Sequence, residues 1–231
     1  MPDVSVKTPD DRLKRDVCLY FGTFNPVHTG HLMIAQSALN QFADSLGIRS
    51  VIFIPAAHPP HRLEEEDLLD ARQRLKLVTL ATVDHPAFEV NDIELRRTGP
   101  SYTIDTLRAL HAQGKIHWPT PMIIGSDALA QLASWHEPDA LIKNVCFLQI
   151  PRPGHDTVEK IHIPSQSGVF TERPLNTHRL TMPELSLSAS WIRHQLKDVF
   201  NSPRSSNHVS SLRYFLPDPV WHYIRNNSLY R

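Results

Sequence analysis

The chain has 231 residues, 41% hydrophobic and 21% charged, with 24 Lys and Arg balanced by 24 Asp and Glu. That length buries a full core with one domain as the default, and the neutral balance gives no electrostatic footprint for nucleic acid or a membrane surface. No apolar run is long enough to span a bilayer, and two cysteines, Cys18 and Cys146, lie in apolar strand-like runs rather than in a disulfide scaffold. Buried free thiols fit a reducing compartment, so the expected location is cytoplasmic.

Residues 1–16 are polar and charged, lack the apolar region of a secretory signal and read as a flexible N-terminal extension. The run Val17-Cys18-Leu19-Tyr20-Phe21 has the composition of a buried strand. Gly22-Thr23-Phe24-Asn25-Pro26 must turn, and His28, Gly30 and His31 follow. Leu32, Ala35, Leu39, Phe42 and Leu46 fall at alternating steps of three and four, so they predict one apolar stripe of a helix that Gly47 ends. The unit is therefore strand, glycine-containing loop, helix. A helix start offers unpaired N–H groups and partial positive charge, which suits phosphate. Glycine lets the backbone approach such an anion, and two imidazoles three residues apart at a helix start face one ligand.

Ser50–Ile54 is a second buried strand. The segment from Pro55 to Asp67 holds too many prolines for a helix. Asp70 with Gln73 forms a capping box for a helix that buries Leu75, Val78 and Thr82. Phe88–Ile93 alternates like a half-buried strand. Ser101 or Thr103 is positioned to cap the next helix, with Ile104, Leu107 and either Leu110 or His111 inward. Pro121–Ile124 and Val145–Ile150 are strands, and Gly125-Ser126-Asp127 turns the former into a short helix. From Arg152 to Met182 the chain is proline-rich and polar, with Ile161–Ile163 a short strand. Ser188 caps a helix carrying Trp191, Ile192, Leu196 and Val199; residues 201–211 read as a mobile loop; Asp218-Pro219 opens a last helix ending near Asn227. Alternating strands and helices predict an α/β fold with a mainly parallel, doubly wound Rossmann-like sheet and a small C-terminal helical part at about 187–231. In this reading 17–231 form a single domain.

Gly22-Thr23-Phe24-Asn25-Pro26-Val27-His28-Thr29-Gly30-His31 resembles the GxFxPxHxGH signature of the nucleotidyltransferase superfamily of adenylyl- and cytidylyltransferases. Four further blocks resemble the nicotinate and nicotinamide mononucleotide adenylyltransferases: His58-Pro59-Pro60-His61-Arg62; Glu94 through Ser101-Tyr102-Thr103-Ile104-Asp105-Thr106-Leu107; Ile123-Ile124-Gly125-Ser126-Asp127 with Trp135; and Leu187-Ser188-Ala189-Ser190-Trp191-Ile192-Arg193. The chain departs from that family's pattern at Arg62, where lysine is usual, and at Ala189 and Ser190, where serine and threonine are usual.

The resemblance implies adenylyl transfer from ATP to a mononucleotide, with His28, His31 and Arg193 as catalytic residues. It implies ATP binding by Gly22, Thr23, Phe24, Gly30, Gly125, Asp127, Ser188, Ser190 and Arg193. It places Arg62, Tyr102, Thr103 and Trp135 at the mononucleotide. Mg²⁺ is expected with ATP, bound through phosphates and water, and no protein metal site is expected. A zinc site at His58 and His61 is disfavoured because prolines fill the gap between them. The expected partners are ATP and nicotinate mononucleotide, with no nucleic acid and no membrane, and a homo-oligomer left open. The compact length, block order and single C-terminal helix resemble the bacterial-type, acid-preferring branch of that family, which implies nicotinate rather than nicotinamide mononucleotide. The competing readings are another transferase of the superfamily, a relative of class I aminoacyl-tRNA synthetases, and a non-catalytic module retaining the fold. No KMSKS-like stretch supports the synthetase reading.

Overall fold

In a computed structural model, which describes residues 17–59, 67–151, 154, 156–164, 170–183, 186–201 and 212–231, the four largely apolar runs become the central strands of one sheet. They are β1 (Val17–Gly22), β2 (Ser50–Pro55), β4 (Thr120–Gly125) and β5 (Val145–Ile150), with β3 (Phe88–Val90) and β8 (Thr177–Arg179) at the two edges. The order β3-β2-β1-β4-β5-β8 of this six-stranded parallel sheet is Rossmann-like and doubly wound, as expected. Strands covered on both faces read as near-continuous apolar runs, and β5 is buried along its whole length, its one polar side chain, Gln149, pairing with the Val158 carbonyl and N–H at 2.8 and 2.9 Å. β4 and β5 pair in parallel from Thr120 opposite Val145 to Gly125 opposite Ile150, so Gly125 lies at a carboxyl end.

The helices are α1 (Thr29–Phe42), α2 (Ala71–Thr82), α3 (Thr103–Ala112), α4 (Ser126–Ala130), α5 (Pro138–Asn144), α6 (Ala189–Asn201) and α7 (Asp218–Asn226). A second sheet pairs β6 (Lys160–Pro164) with β7 (Phe170–Pro174) antiparallel. Two compact units divide the described chain. The first takes the described part of Met1–Leu19, then Ala38–Val51 and Tyr102–Thr181; the second takes Tyr20–Ser37, Ile52–Ser101 and Met182–Arg231. The first unit's core includes Cys18, Leu19, Leu107, Ile123, Leu141 and Phe147; the second's includes Phe24, Val27, Phe53, Leu77, Ile192, Leu196, Val220 and Ile224.

Several boundaries differ from the sequence reading, each for a local reason. Gly47 is left-handed at φ 73°, yet α1 stops at Phe42, whose carbonyl takes both the Leu46 and Ile48 N–H groups. β3 ends three residues early because the Asn91 side chain accepts the Ile93 N–H (3.0 Å), an Asx turn that leaves the strand. Neither Ser101 nor Thr103 caps α3: Tyr102 holds the cap position, and Ser101 Oγ accepts the His58 N–H instead (3.1 Å). Leu110 is the inward residue and His111 is exposed. The caps at Asp70 and Ser188 form as read, with Asp70 Oδ1 accepting from the Arg72 and Gln73 N–H groups at 2.8 and 2.9 Å. β7 and β8 come from the stretch where one short strand was expected. Both cysteines are buried and free. The extension 1–16, the residue Arg62 and most of the loop 201–211 lie outside the described residues. Among the described residues no helix is long and apolar enough to cross a membrane.

Candidate active site

At the carboxyl end of β1 the Phe24 ring folds back over Gly22, so a side chain at Gly22 would force that buried ring to move. A Cβ there would lie 2.8 Å from Phe24 Cζ. Phe24 takes a left-handed backbone (φ 49°) and is buried, with its ring edge-on to those of Tyr20 and His31 at 5.5 and 5.1 Å. Its ring is therefore core, and only its main chain is left for a ligand. Gly30 is constrained likewise, because a Cβ would stand 3.0 Å from His28 Cε1 and Nδ1. The two glycines make room for the Phe24 and His28 rings as well as for any anion.

His28 is buried and His31 half-buried, with ring centroids 3.7 Å apart. The His28 main-chain N–H donates to His31 Nδ1 (3.1 Å). A nitrogen that accepts carries no proton, so neutral His31 is the Nε2–H tautomer, a donor. The start of α1 is pinned by the Thr29 N–H and Oγ1, which both donate to the Phe215 carbonyl at 3.0 and 3.1 Å. Arg193, on α6, is not the exposed helix arginine its spacing alone suggests. It is only 8% exposed, and Nη1 donates to the Asn25 carbonyl at 2.9 Å. Ser188 and Ser190 stand exposed at the start of α6.

Beneath this loop lies a residue the sequence did not single out. Arg74 is 1% exposed and donates to three main-chain carbonyls: Thr23 (2.8 Å), Leu69 (3.0 Å) and Ala57 (3.2 Å). Burial pulls its pKa below the usual arginine value. In a trans peptide the carbonyl and the next N–H point in opposite directions. With the Thr23 carbonyl drawn to Arg74, the Phe24 N–H faces away from it. A single arginine on an amphipathic helix gives no sequence signal for this.

The first unit carries the other predicted residues. Gly125 is the N-cap of α4 and Asp127 lies in its first turn. Tyr102 and Thr103 are half-buried at the start of α3, and the Tyr102 ring stacks on His136 (4.3 Å, 23°). Trp135 is half-buried, not core. Next to it Glu137 holds a left-handed φ of 51° and receives a fork from Arg108, at 2.7 Å to each carboxylate oxygen. Arg108 and Glu137 were not foreseen.

The family profile described as Cytidylyltransferase-like matches residues 19–209. The chain belongs to this family. It is a nucleotidyltransferase, and curated relatives from several bacteria are described as probable nicotinate-nucleotide adenylyltransferase. The protein of Symbiobacterium thermophilum is 36% identical over 93% of this chain and 94% of its own, and that of Herpetosiphon aurantiacus 37% over 90% and 95%. Among solved structures, the nicotinic acid mononucleotide adenylyltransferase of Plasmodium falciparum complexed with NaAD aligns with a TM-score of 0.63, covering 93% of this chain and 96% of its own. At 19% identity that likeness speaks for the fold.

A nucleotidyltransferase acts on nucleotide phosphates, so the donor set at the loop matters. It offers imidazole and main-chain N–H groups, which suit phosphate oxygens. Among the described residues one trio of metal-ligand side chains comes close enough to share an ion: Asp105, His136 and Glu137. Its Glu137 is already held by Arg108. Neither thiol suits nucleophilic chemistry, since burial pushes Cys146 up to about 11 and raises Cys18 further.

Proposed function

We propose that the protein joins ATP and nicotinate mononucleotide to give the acid dinucleotide (deamido-NAD) and pyrophosphate, a step in making NAD. A phosphate oxygen of the mononucleotide attacks the α-phosphorus of ATP. The bond from that phosphorus to the bridging oxygen breaks, and pyrophosphate leaves with the electron pair. The nucleophile is already an anion, so no general base is required, and catalysis is positioning plus charge stabilisation.

The observation that carries this reading is the His28 N–H to His31 Nδ1 hydrogen bond, which keeps His31 a donor at Nε2. In this reading His28 and His31 donate to the triphosphate. Gly22, Thr23, Phe24 and Gly30 contribute main-chain groups, and Arg193 with Ser188 and Ser190 serves the outer phosphates. Gly125 and Asp127 serve the adenosine, and Arg62, Tyr102, Thr103 and Trp135 the mononucleotide. Mg²⁺ enters as part of the ATP substrate, held by phosphate oxygens and water. Residues 17–231 act as one nucleotidyltransferase domain. The setting we propose is the cytoplasm, in keeping with two free, buried thiols.

The acid form is favoured because main-chain N–H groups at the start of α3 suit a carboxylate, whereas an amide would set its own N–H groups against them. Pyrophosphate release, followed side by side with both mononucleotides at saturating ATP, tests this. The expected kcat/KM is at least about tenfold higher for the acid. Equal values or an amide preference would refute the choice of acid, and no release with either would refute the reaction.

A further inference from the structure

We propose that Tyr230 is a positioning residue for adenylyl transfer, acting through Asn25 on the carbonyl that Arg193 grips. This rests on the reading of Arg193 and the loop as the triphosphate site. Asn25 lies in the turn between Gly22 and His28, is 1% exposed, and is hydrogen-bonded from several sides. Its Nδ2 donates to the Asp67 carbonyl (2.9 Å), and a carbonyl only accepts, so the orientation of the amide is fixed. Oδ1 is then the acceptor for both the Leu69 N–H (3.2 Å) and the Tyr230 hydroxyl (2.8 Å). An amide oxygen only accepts, so the hydroxyl is the donor, and the two bonds together engage both lone pairs of Oδ1. The main-chain carbonyl of the same residue accepts from Arg193 Nη1 (2.9 Å). Phenol, amide and guanidinium thus meet on one residue of the loop, four positions after Phe21 and three before His28.

The backbone around Tyr230 supports this placement. Ser228 and Tyr230 take positive φ values of 53° and 64°, uncommon for residues with side chains. Such strain persists where the surroundings over-determine it. Tyr230 is 7% exposed, and burial drives its hydroxyl well above the usual tyrosine range, so it stays a donor across any assay pH. Asp67, whose carbonyl holds the Asn25 amide, is itself anchored by Lys197 at 2.7 and 2.8 Å to its two oxygens. Lys197 and Arg193 are one turn apart on α6, so the helix that carries the phosphate arginine also braces the residue that orients it. Asn25 moves only if Tyr230, Asp67 and Leu69 allow it. A shift there would move the carbonyl that holds the Arg193 guanidinium.

The test is a double-mutant cycle on the full chain with Tyr230→Phe, Arg193→Lys and both, using ATP and nicotinate mononucleotide. Tyr230→Phe keeps the ring and removes only the donor. Rates are read well below each variant's own melting midpoint, so lost stability alone leaves kcat unmoved. The expected result for Tyr230→Phe is roughly a tenfold fall in kcat, with KM for the mononucleotide within about twofold. With Arg193→Lys in place, the second change should lower kcat by less than about twofold more, since the two residues act on one carbonyl. A Tyr230→Phe enzyme with near-normal kcat beside a crippled Arg193→Lys enzyme would overturn the inference and leave the phosphate reading standing. Full additivity would also overturn it. Near-normal kcat for Arg193→Lys would instead remove the reading of Arg193 itself.

Discussion

The two units hold their predicted site residues in opposite ways. In the second unit the loop from Gly22 to His31 is fixed from beneath by charges taken out of water: Arg74 is 1% exposed and Arg193 8%, and each donates to a loop carbonyl. In the first unit the segment Tyr102–Glu137 is held by an ion pair whose side chains are 50% and 41% exposed, and by an aromatic stack. A buried guanidinium on main-chain oxygens is costly to disturb, because the charge then lacks partners in low dielectric. An exposed pair is screened by water and salt. In the function we propose, the difference follows what each set of residues does. Transferring a phosphoryl group needs donors fixed to a fraction of an ångström. Holding a flat ring and one polar substituent tolerates adjustment.

The largest expected effect breaks the rigid side. His31→Ala removes an Nε2–H donor and the acceptor that fixes the His28 N–H. One lost transition-state donor lowers kcat by about 10²–10³. KM for the mononucleotide should barely change, and initial rates beside a melting curve check both. A folded variant with ordinary turnover would show that the imidazole pair is not at the reacting phosphates.

The next tests the adjustable side. Trp135 is half-buried at the end of a short 3₁₀ turn, Leu132–Ser134, with its N–H on the Leu132 carbonyl (3.0 Å). A half-exposed ring loses little packing on truncation, so Trp135→Ala should move the melting midpoint only slightly. If the ring stacks on the pyridine, KM for the mononucleotide rises about tenfold while KM for ATP holds. A fall in melting temperature with both KM values unchanged would return Trp135 to a packing role.

The same contrast explains what the sequence disclosed. The loop was legible because its constraints are local: Gly22 must clear Phe24, Gly30 must clear His28, and the helix follows at once. The four central strands were legible because strands buried on both faces read as near-continuous apolar runs, which tolerate a polar residue such as Gln149 only where its hydrogen bonds are met. Arg74, Asn25 and Tyr230 were not: Arg74 reaches the Thr23 carbonyl across 51 residues and Tyr230 reaches Asn25 across 205, and neither spacing nor periodicity encodes such meetings. Tyr102 was placed at the mononucleotide by resemblance, but its stack on His136 joins residues 34 positions apart and leaves no trace in either segment. β7 escaped notice because all five of its positions are exposed, so Phe170-Thr171-Glu172-Arg173-Pro174 lacks the alternation of a half-buried strand.

The smallest effect sharpens the comparison most, because it separates an exposed clamp from a buried one. Arg108 reaches Glu137 from α3, and Glu137 directly follows Trp135 and His136. The hydrogen bond from Arg108 is the main reason the Glu137 carboxyl sits below the usual carboxylate range. A carboxyl with a depressed folded-state pKa adds stability above its unfolded value, and loses it as pH falls through the folded one. Arg108→Ala should therefore lower the melting midpoint at neutral pH by no more than about 2 °C. The gap should close as pH falls through the lowered folded-state value of Glu137, beneath the usual carboxylate range, and also in roughly 1 M salt, where an exposed pair is screened. Mononucleotide KM should rise by about twofold at most, since the Tyr102–His136 stack still links the two segments. Melting curves across pH and salt read the first effect, and initial rates the second. A large loss that survives both acid and salt would mean the pair is shielded like Arg74, and the proposed division between a rigid and an adjustable side would fall.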